Sequence, residues 1–116
     1  MDVSWTTRPG RECLVVQLSG VVDMATTPDV RQRLQEVLDD GTRSIVLDLG
    51  EVPLIDSSAL GLIVWLHKQL LAHGGGAAVA GPQPIVRQVF ELTSVDHLLP
   101  VHDTVAAAEA ALVSPA

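Results

Sequence analysis

Short apolar runs and longer segments of helical period take turns along this chain, and that alternation leaves few folds open to it. Apolar residues on both sides of a short run mark a strand with neighbours on each side. Apolar residues recurring at i, i+3, i+4 and i+7 mark a helix with one buried stripe. Two strands joined through a helix must lie parallel, because only an antiparallel pair can be closed by a tight turn. The pattern therefore predicts an α/β fold: a mixed, mostly parallel sheet that opens with a β-hairpin and is packed with about four helices.

Taken in order, a short first strand around Val3 to Thr6 and a turn over Arg8 to Arg11 lead into a strand from Glu12 to Leu18. Ser19 and Gly20 end it. Thr26, Thr27 and Pro28 supply a capping hydroxyl and a first-turn proline for a helix carrying Val30, Leu34, Val37 and Leu38, which Gly41 stops. A strand from Ser44 to Gly50 follows, then a bend at Pro53, then a largely buried helix opened by Ser57 or Ser58. Leu60, Ile63, Val64, Leu66, Leu70 and Leu71 line that helix, and Gly74 to Gly76 close it. Ala77 to Gly81 reads as a strand, Pro84 starts a helix with Ile85, Val86, Val89 and Phe90, and Leu98 to Val101 reads as a last strand. An alanine-rich helix from Asp103 to about Val113 completes the set, and Met24 reads as core. At 116 residues the chain has the length of one domain, residues 1–116 with a core of about 3–113.

Composition removes whole classes of activity. Seven Lys and Arg against fourteen Asp and Glu leave a net charge of −7, the wrong sign for a nucleic-acid binder. Trp5, Trp65 and Phe90 are too few aromatics to stack a series of bases. A lone cysteine, Cys13, forbids an internal disulfide and any multi-cysteine metal centre, and within a buried-looking strand it reads as inert. His67 and His73 lie about 240° apart around one helix, and His97 and His102 have no metal-ligand spacing, so no metal or cofactor is expected. No apolar stretch reaches the ~20 residues of a membrane span, and the first residues lack the order of a signal peptide. A cytoplasmic, reducing location fits, with neither membrane nor nucleic acid as partner.

The chemistry concentrates in Leu47 to Val64, which reads LDLGEVPLIDSSALGLIV. Here a strand, a proline bend, an acid and two hydroxyls run directly into a helix. A residue at such a junction meets unpaired backbone N–H groups and the positive end of the helix dipole, where a phosphate is favourably placed. Phosphorylation of Ser57 would add about −1.5 to −2 charge beside the carboxylate of Asp56. The fold can tolerate that addition while the surface a partner meets changes sharply.

This segment resembles the STAS family, named for sulphate transporters and anti-sigma-factor antagonists, whose members carry Asp-Ser-Ser or Asp-Ser-Thr, then Gly-Leu-Gly, at the start of a helix behind an apolar strand. Leu18 to Asp23, LSGVVD, is similar to the family's Leu-x-Gly-x-x-Asp, and Gly81 and Pro82 with Val86 to Leu92 are similar to its later strand and helix. The resemblance spans nearly the whole chain, leaving no length for an attached transporter. It implies a STAS fold and a bacterial-type anti-sigma-factor antagonist, which binds an anti-sigma factor and so frees a sigma factor. That partner is implied to be a serine-protein kinase, carrying its own ATP and magnesium, that phosphorylates the serine after the aspartate; a phosphatase restores the active form. By position the phosphoacceptor is Ser57, with Asp23, Asp56, Ser57 and Ser58 as partner-binding residues. Ala59 stands where the family usually has glycine, and Val21 and Val22 stand in place of the commoner polar residue before Asp23.

Plainer readings exist for each residue. Ser57 and Ser58 read equally well as helix N-caps, and Asp23 as a turn aspartate. A STAS-type scaffold or ligand-sensing module without phosphorylation is then the alternative function. A hydrolytic serine would need a Gly-x-Ser-x-Gly elbow or an identifiable base, and the sequence around Ser57 offers neither.

Overall fold

Valine, isoleucine and leucine crowd the strands on both faces, so both faces of the sheet need cover, and the fold supplies it unequally. The computed structural model describes residues 3–113. Its elements are β1 (Ser4–Pro9), β2 (Leu14–Ser19), α1 (Thr27–Asp39), β3 (Ser44–Glu51), α2 (Ser57–Ala72), β4 (Gly76–Ala80) and α3 (Pro84–Leu92). A 3-10 turn (Val95–His97), β5 (Val101–His102) and α4 (Val105–Leu112) follow. The strands form one sheet in the order β1-β2-β3-β4-β5, with β1 antiparallel to β2 and every other pair parallel. The α/β fold with an opening hairpin and four helices is thus as the sequence predicts.

Successive crossovers of one hand that all step the same way leave their helices on one face of the sheet. Accordingly Val16, Leu18, Ile45, Leu47, Leu49, Ala77 and Val79 point into a core shared with Val30 and Leu34 of α1, Leu62, Leu66 and Leu70 of α2, and Val86 and Phe90 of α3. The alternate residues Val15, Val46, Ala78 and Ala80 meet Ala108 of α4 on the opposite face. Alanines there let the single thin helix lie close to the strands. Glu109 fastens α4 to the hairpin, its Oε2 accepting from the Arg11 amide at 2.6 Å.

Two devices set the joint between α2 and β4. Gly74, at φ +85°, ends the helix in the left-handed region, and a Cβ built on Gly75 would stand 1.5 Å from the Arg43 carbonyl oxygen. The three glycines are therefore not a flexible turn: each has a separate duty, and Gly76 already belongs to β4. His67 of α2 turns its Nδ1 to accept from the Ala77 amide at 3.2 Å. It takes the place of a strand partner on the β4 edge before β5 begins. Burial holds the His67 imidazole below its ordinary range, and a hydrogen bond with the Leu98 backbone partly opposes that.

The structure moves several boundaries. The hairpin turn falls at Gly10 to Cys13 rather than Arg8 to Arg11, because β1 runs on to Pro9; Gly10 N–H donates to the Cys13 carbonyl at 2.9 Å. Cys13 precedes β2 and is half-buried, and burial first and Glu109 second push its thiol upward. The last strand is only Val101–His102, since Val95 to Leu98 wind into the 3-10 turn, and α4 begins at Val105 because Thr104 caps it. Leu71 faces solvent at 55% exposure, so the C-terminal end of α2 is less buried than its apolar sequence predicts.

Candidate functional site

Parallel strands deliver their following loops to one edge of the sheet, and in α/β folds that edge is where recognition is built. Here β2 and β3 end side by side. Gly20 N–H donates to the Glu51 carbonyl at 3.0 Å and Val22 N–H to the Leu54 carbonyl at 3.2 Å, with Val22 and Ile55 forming an isolated parallel bridge. The loop bearing Asp23 is thereby laid against the bend that leads to Ser57. A third loop joins from β4, where Gln83 Nε2 donates to the Gly50 carbonyl at 3.0 Å.

Asp56 holds the site together. It is the N-cap of α2: its Oδ1 accepts from the Ser58 amide at 2.9 Å and the Ala59 amide at 3.1 Å. Its Oδ2 accepts from the Met24 amide at 3.0 Å, across from the other loop. One carboxylate thus caps the helix and ties the two loops. An aspartate in this role contributes about 1 kcal/mol through the cap alone.

The cap assignment corrects the expectation that Ser57 or Ser58 opens the helix. Both serines lie inside the first turn of α2, Ser57 exposed and Ser58 half-buried beside a groove shared with Thr27, Pro28, Arg31, Gly61 and Leu62. Relieved of capping, the Ser57 hydroxyl is presented outward. The amides of Ser58 and Ala59 are already occupied by Asp56, so a phosphate on Ser57 would find those donors taken and a carboxylate next door. Addition of a phosphate there changes the surface by repulsion rather than by docking into the helix end.

Asp23 is a turn aspartate in geometry. Its Oδ1 accepts from the Ala25 amide at 2.9 Å and the Thr26 amide at 3.2 Å. Thr26, which the sequence casts as the cap of α1, makes no capping hydrogen bond; its buried hydroxyl accepts from the Asp23 amide at 3.0 Å and donates to the Val21 carbonyl at 3.1 Å. Asp23 and Thr26 are hydrogen-bonded to each other, and the loop between them is tied through the Met24 amide to Asp56. The structure therefore brings Asp23, Asp56, Ser57 and Ser58 to one end of the sheet.

Met24 is not core. Held by its backbone to Asp56, it projects its side chain into solvent at 75% exposure, and Leu54 on the neighbouring bend is 48% exposed. Sequence reasoning missed both because an apolar residue in a loop has no periodicity to betray its direction. The signal available was position: Met24 follows Asp23 directly, outside any strand or helix pattern. Among the described residues there is no group of three or more His, Cys, Asp or Glu placed to hold a metal ion, and no helix is long and apolar enough to cross a membrane.

The sheet is parallel after an antiparallel hairpin, the Asp-capped helix carries two serines in its first turn, and residues 4–108 match the STAS domain. The chain belongs to the STAS domain family. It is 32% identical over 94 residues, 80% of each chain, to the anti-sigma F factor antagonist of Paenibacillus polymyxa. The crystal structure of an anti-sigma factor antagonist from Mycobacterium paratuberculosis superimposes with a TM-score of 0.87 at 26% identity, covering 96% of this chain and 94% of that one. SpoIIAA, an anti-sigma factor antagonist, shares the fold in its unphosphorylated form with a TM-score of 0.80 at 21% identity, over 97% of this chain and 99% of that one. The phosphorylated form of SpoIIAA, a Bacillus cell fate determinant, also superimposes, with a TM-score of 0.69 at 22% identity over 90% of this chain and 96% of that one. The STAS anti-sigma factor antagonists are regulatory binding proteins, not enzymes.

Proposed function

We propose that this protein is an anti-sigma-factor antagonist of the bacterial cytoplasm that binds an anti-sigma factor while Ser57 is unmodified and releases it when Ser57 is phosphorylated. The carrying observation is the division of labour at the start of α2: Asp56 caps the helix, and Ser57 stands exposed one residue further on. A hydroxyl with no structural duty, at the edge of a folded domain, is what a kinase active site can reach without unfolding its substrate. SpoIIAA, which shares the fold, has a phosphorylated form, and that supports the reading.

The partner is a serine-protein kinase that supplies ATP and magnesium, and a phosphatase reverses the step. Met24 and Leu54 offer exposed apolar contact beside Ser57, and Asp23 and Asp56 set the charge around it. Adding a phosphate to this acidic edge places further negative charge in a surface that must be desolvated on binding, and each 1.4 kcal/mol so lost weakens the complex tenfold. Incubation with the partner kinase and ATP is expected to add one phosphate to the wild type and none to Ser57→Ala. The same mass gain in both would overturn the site assignment.

A further inference from the structure

The sheet has two edges, and the chain protects only one of them. At one side β5 blunts the edge by brevity, pairing through Val101 and His102 alone. At the other, β1 is a full strand in unbroken register with β2, built around Trp5, Thr6 and Thr7, and every residue of it but Trp5 is exposed. An edge of that kind is a template for another strand.

The hairpin fixes which backbone groups the edge offers. Gly10 N–H donates to the Cys13 carbonyl, and in an antiparallel ladder residues bonded to the neighbouring strand alternate with residues whose N–H and C=O face away. Arg8, Thr6 and Ser4 therefore bond to β2, while Trp5 and Thr7 turn their backbone groups outward. Pro9 also faces outward and has no N–H to give. A copy of β1 laid antiparallel on this edge by a two-fold axis through Thr6 sets Trp5 of each copy against Thr7 of the other, and each such pair exchanges both its hydrogen bonds. Moving the axis to Thr7 would set Trp5 against Pro9 and leave the Trp5 carbonyl unmet.

The flank beside the edge carries its charges in a matching order. A groove of about 380 Å³ runs between Trp5 and Thr7 of β1 and Arg33, Glu36 and Asp40 of α1, and the Arg33 guanidinium lies 6.0 Å from the Trp5 ring centre. Helix α1 runs in the same sense as β1, since both run against β2. Glu36 and Asp40 lie about 4.5 Å and about 10.5 Å beyond Arg33 along the helix, and Thr7 lies about 6.7 Å beyond Trp5 along the strand. An axis through Thr6 exchanges the levels of Trp5 and Thr7. Arg33 of each copy then faces the stretch of the other between Glu36 and Asp40, so opposite charges meet on both sides of the axis.

We infer that β1 is where a second copy of this chain docks, edge to edge and antiparallel, giving one continuous sheet with Arg33 of each copy against Glu36 and Asp40 of the other. The axis reverses the strands between copies. The edges bearing Ser57 therefore lie at opposite ends of the joined sheet, and both stay open. The net charge of −7 on each copy opposes association and keeps it concentration-dependent.

Sedimentation velocity of the full chain from about 10 µM to about 1 mM tests this. The wild type is expected to pass from monomer toward dimer over that range. Amide exchange at Trp5 and Thr7 is expected to slow as it does so, while exchange at Thr6, already bonded to β2, holds constant. Thr7→Pro removes an outward N–H where an edge strand tolerates proline, and should weaken the dimer at least about tenfold. Arg33→Glu should weaken it severalfold, and Arg33→Glu combined with Glu36→Arg and Asp40→Arg should restore it; the charge variants decide the question if Thr7→Pro does not fold. A wild type that stays monomeric throughout overturns the inference, whether the edge is idle or takes an extended segment of another protein. A dimer that Thr7→Pro and Arg33→Glu leave intact, or that the exchanged charges fail to restore, overturns it as well.

Discussion

At the scale of single residues, the account rests on Asp56 and Ser57 doing different work. Asp56 makes three charge-assisted hydrogen bonds to backbone amides on two segments, so its loss should be felt by the fold. Asp56→Ala should lower the unfolding free energy by about 1–3 kcal/mol, measured by urea denaturation, since it removes an N-cap and leaves the Met24 amide unpaired. Ser57→Asp should unfold at nearly the wild-type urea concentration but bind the anti-sigma partner at least about tenfold more weakly by calorimetry. If the two variants exchanged these phenotypes, with Ser57→Asp unstable and Asp56→Ala harmless to the fold, the assignment of roles would be wrong. The Asp-Ser-Ser sequence offered Ser57 and Ser58 as the caps, with Asp56 read only as the acidic neighbour. What separated them was a side-chain geometry that sequence does not encode locally: Asp56 lies in extended backbone with its carboxylate turned over the first turn of α2.

The elements were more legible than their joints. Strands buried on both faces, such as β3 with Ile45, Val46, Leu47 and Leu49, announce themselves by continuous apolar character, and the apolar stripe of α1 does so by period. The short β5 and the 3-10 turn did not, because Leu98 and Leu99 read as strand residues while the chain there is turned by Ser94, at φ +61°. Met24 was misread for a related reason: loop backbone, tied by Asp56, decides where its side chain points. Two joints carry predictions. Gly75→Ala should destabilise the protein by about 3 kcal/mol or more in thermal or urea unfolding, because its Cβ has backbone rather than a yielding side chain in the way. The tie from His67 to Ala77 should make stability depend on acidity. Burial holds the folded-state value of His67 below the ordinary imidazole value of 6.5, so the unfolded chain takes up the proton first as the solution is acidified. Stability is therefore complete above that value and declines as pH falls toward and through the lowered folded value. A series of urea midpoints from pH about 7.5 to about 5 should show this decline, and His67→Gln should lessen it. An equal decline in both proteins would remove His67 as its source.

For the whole molecule, the division of the sheet's two faces matters most. Helices α1, α2 and α3 bury the larger core, and α4 alone covers the other face, so the edge that carries Ser57 is anchored from both sides through β2, β3 and β4. A modification there can alter binding without a change of fold, which suits a switch read by a partner. The net charge of −7 has a corresponding consequence. Association with a basic partner surface should be steered electrostatically, so the on-rate measured by stopped flow should fall several-fold between about 0.05 M and about 0.5 M salt. A rate indifferent to salt would mean that charge around Ser57 does not guide the encounter.

The central claim is that one phosphate on Ser57 decides whether this protein holds its partner, and a calorimetric titration of the anti-sigma kinase with unmodified and with singly phosphorylated protein tests it most directly. The account predicts tight binding of the unmodified form and binding at least about tenfold weaker for the form whose phosphate maps to Ser57. Equal affinity of the two forms would contradict it.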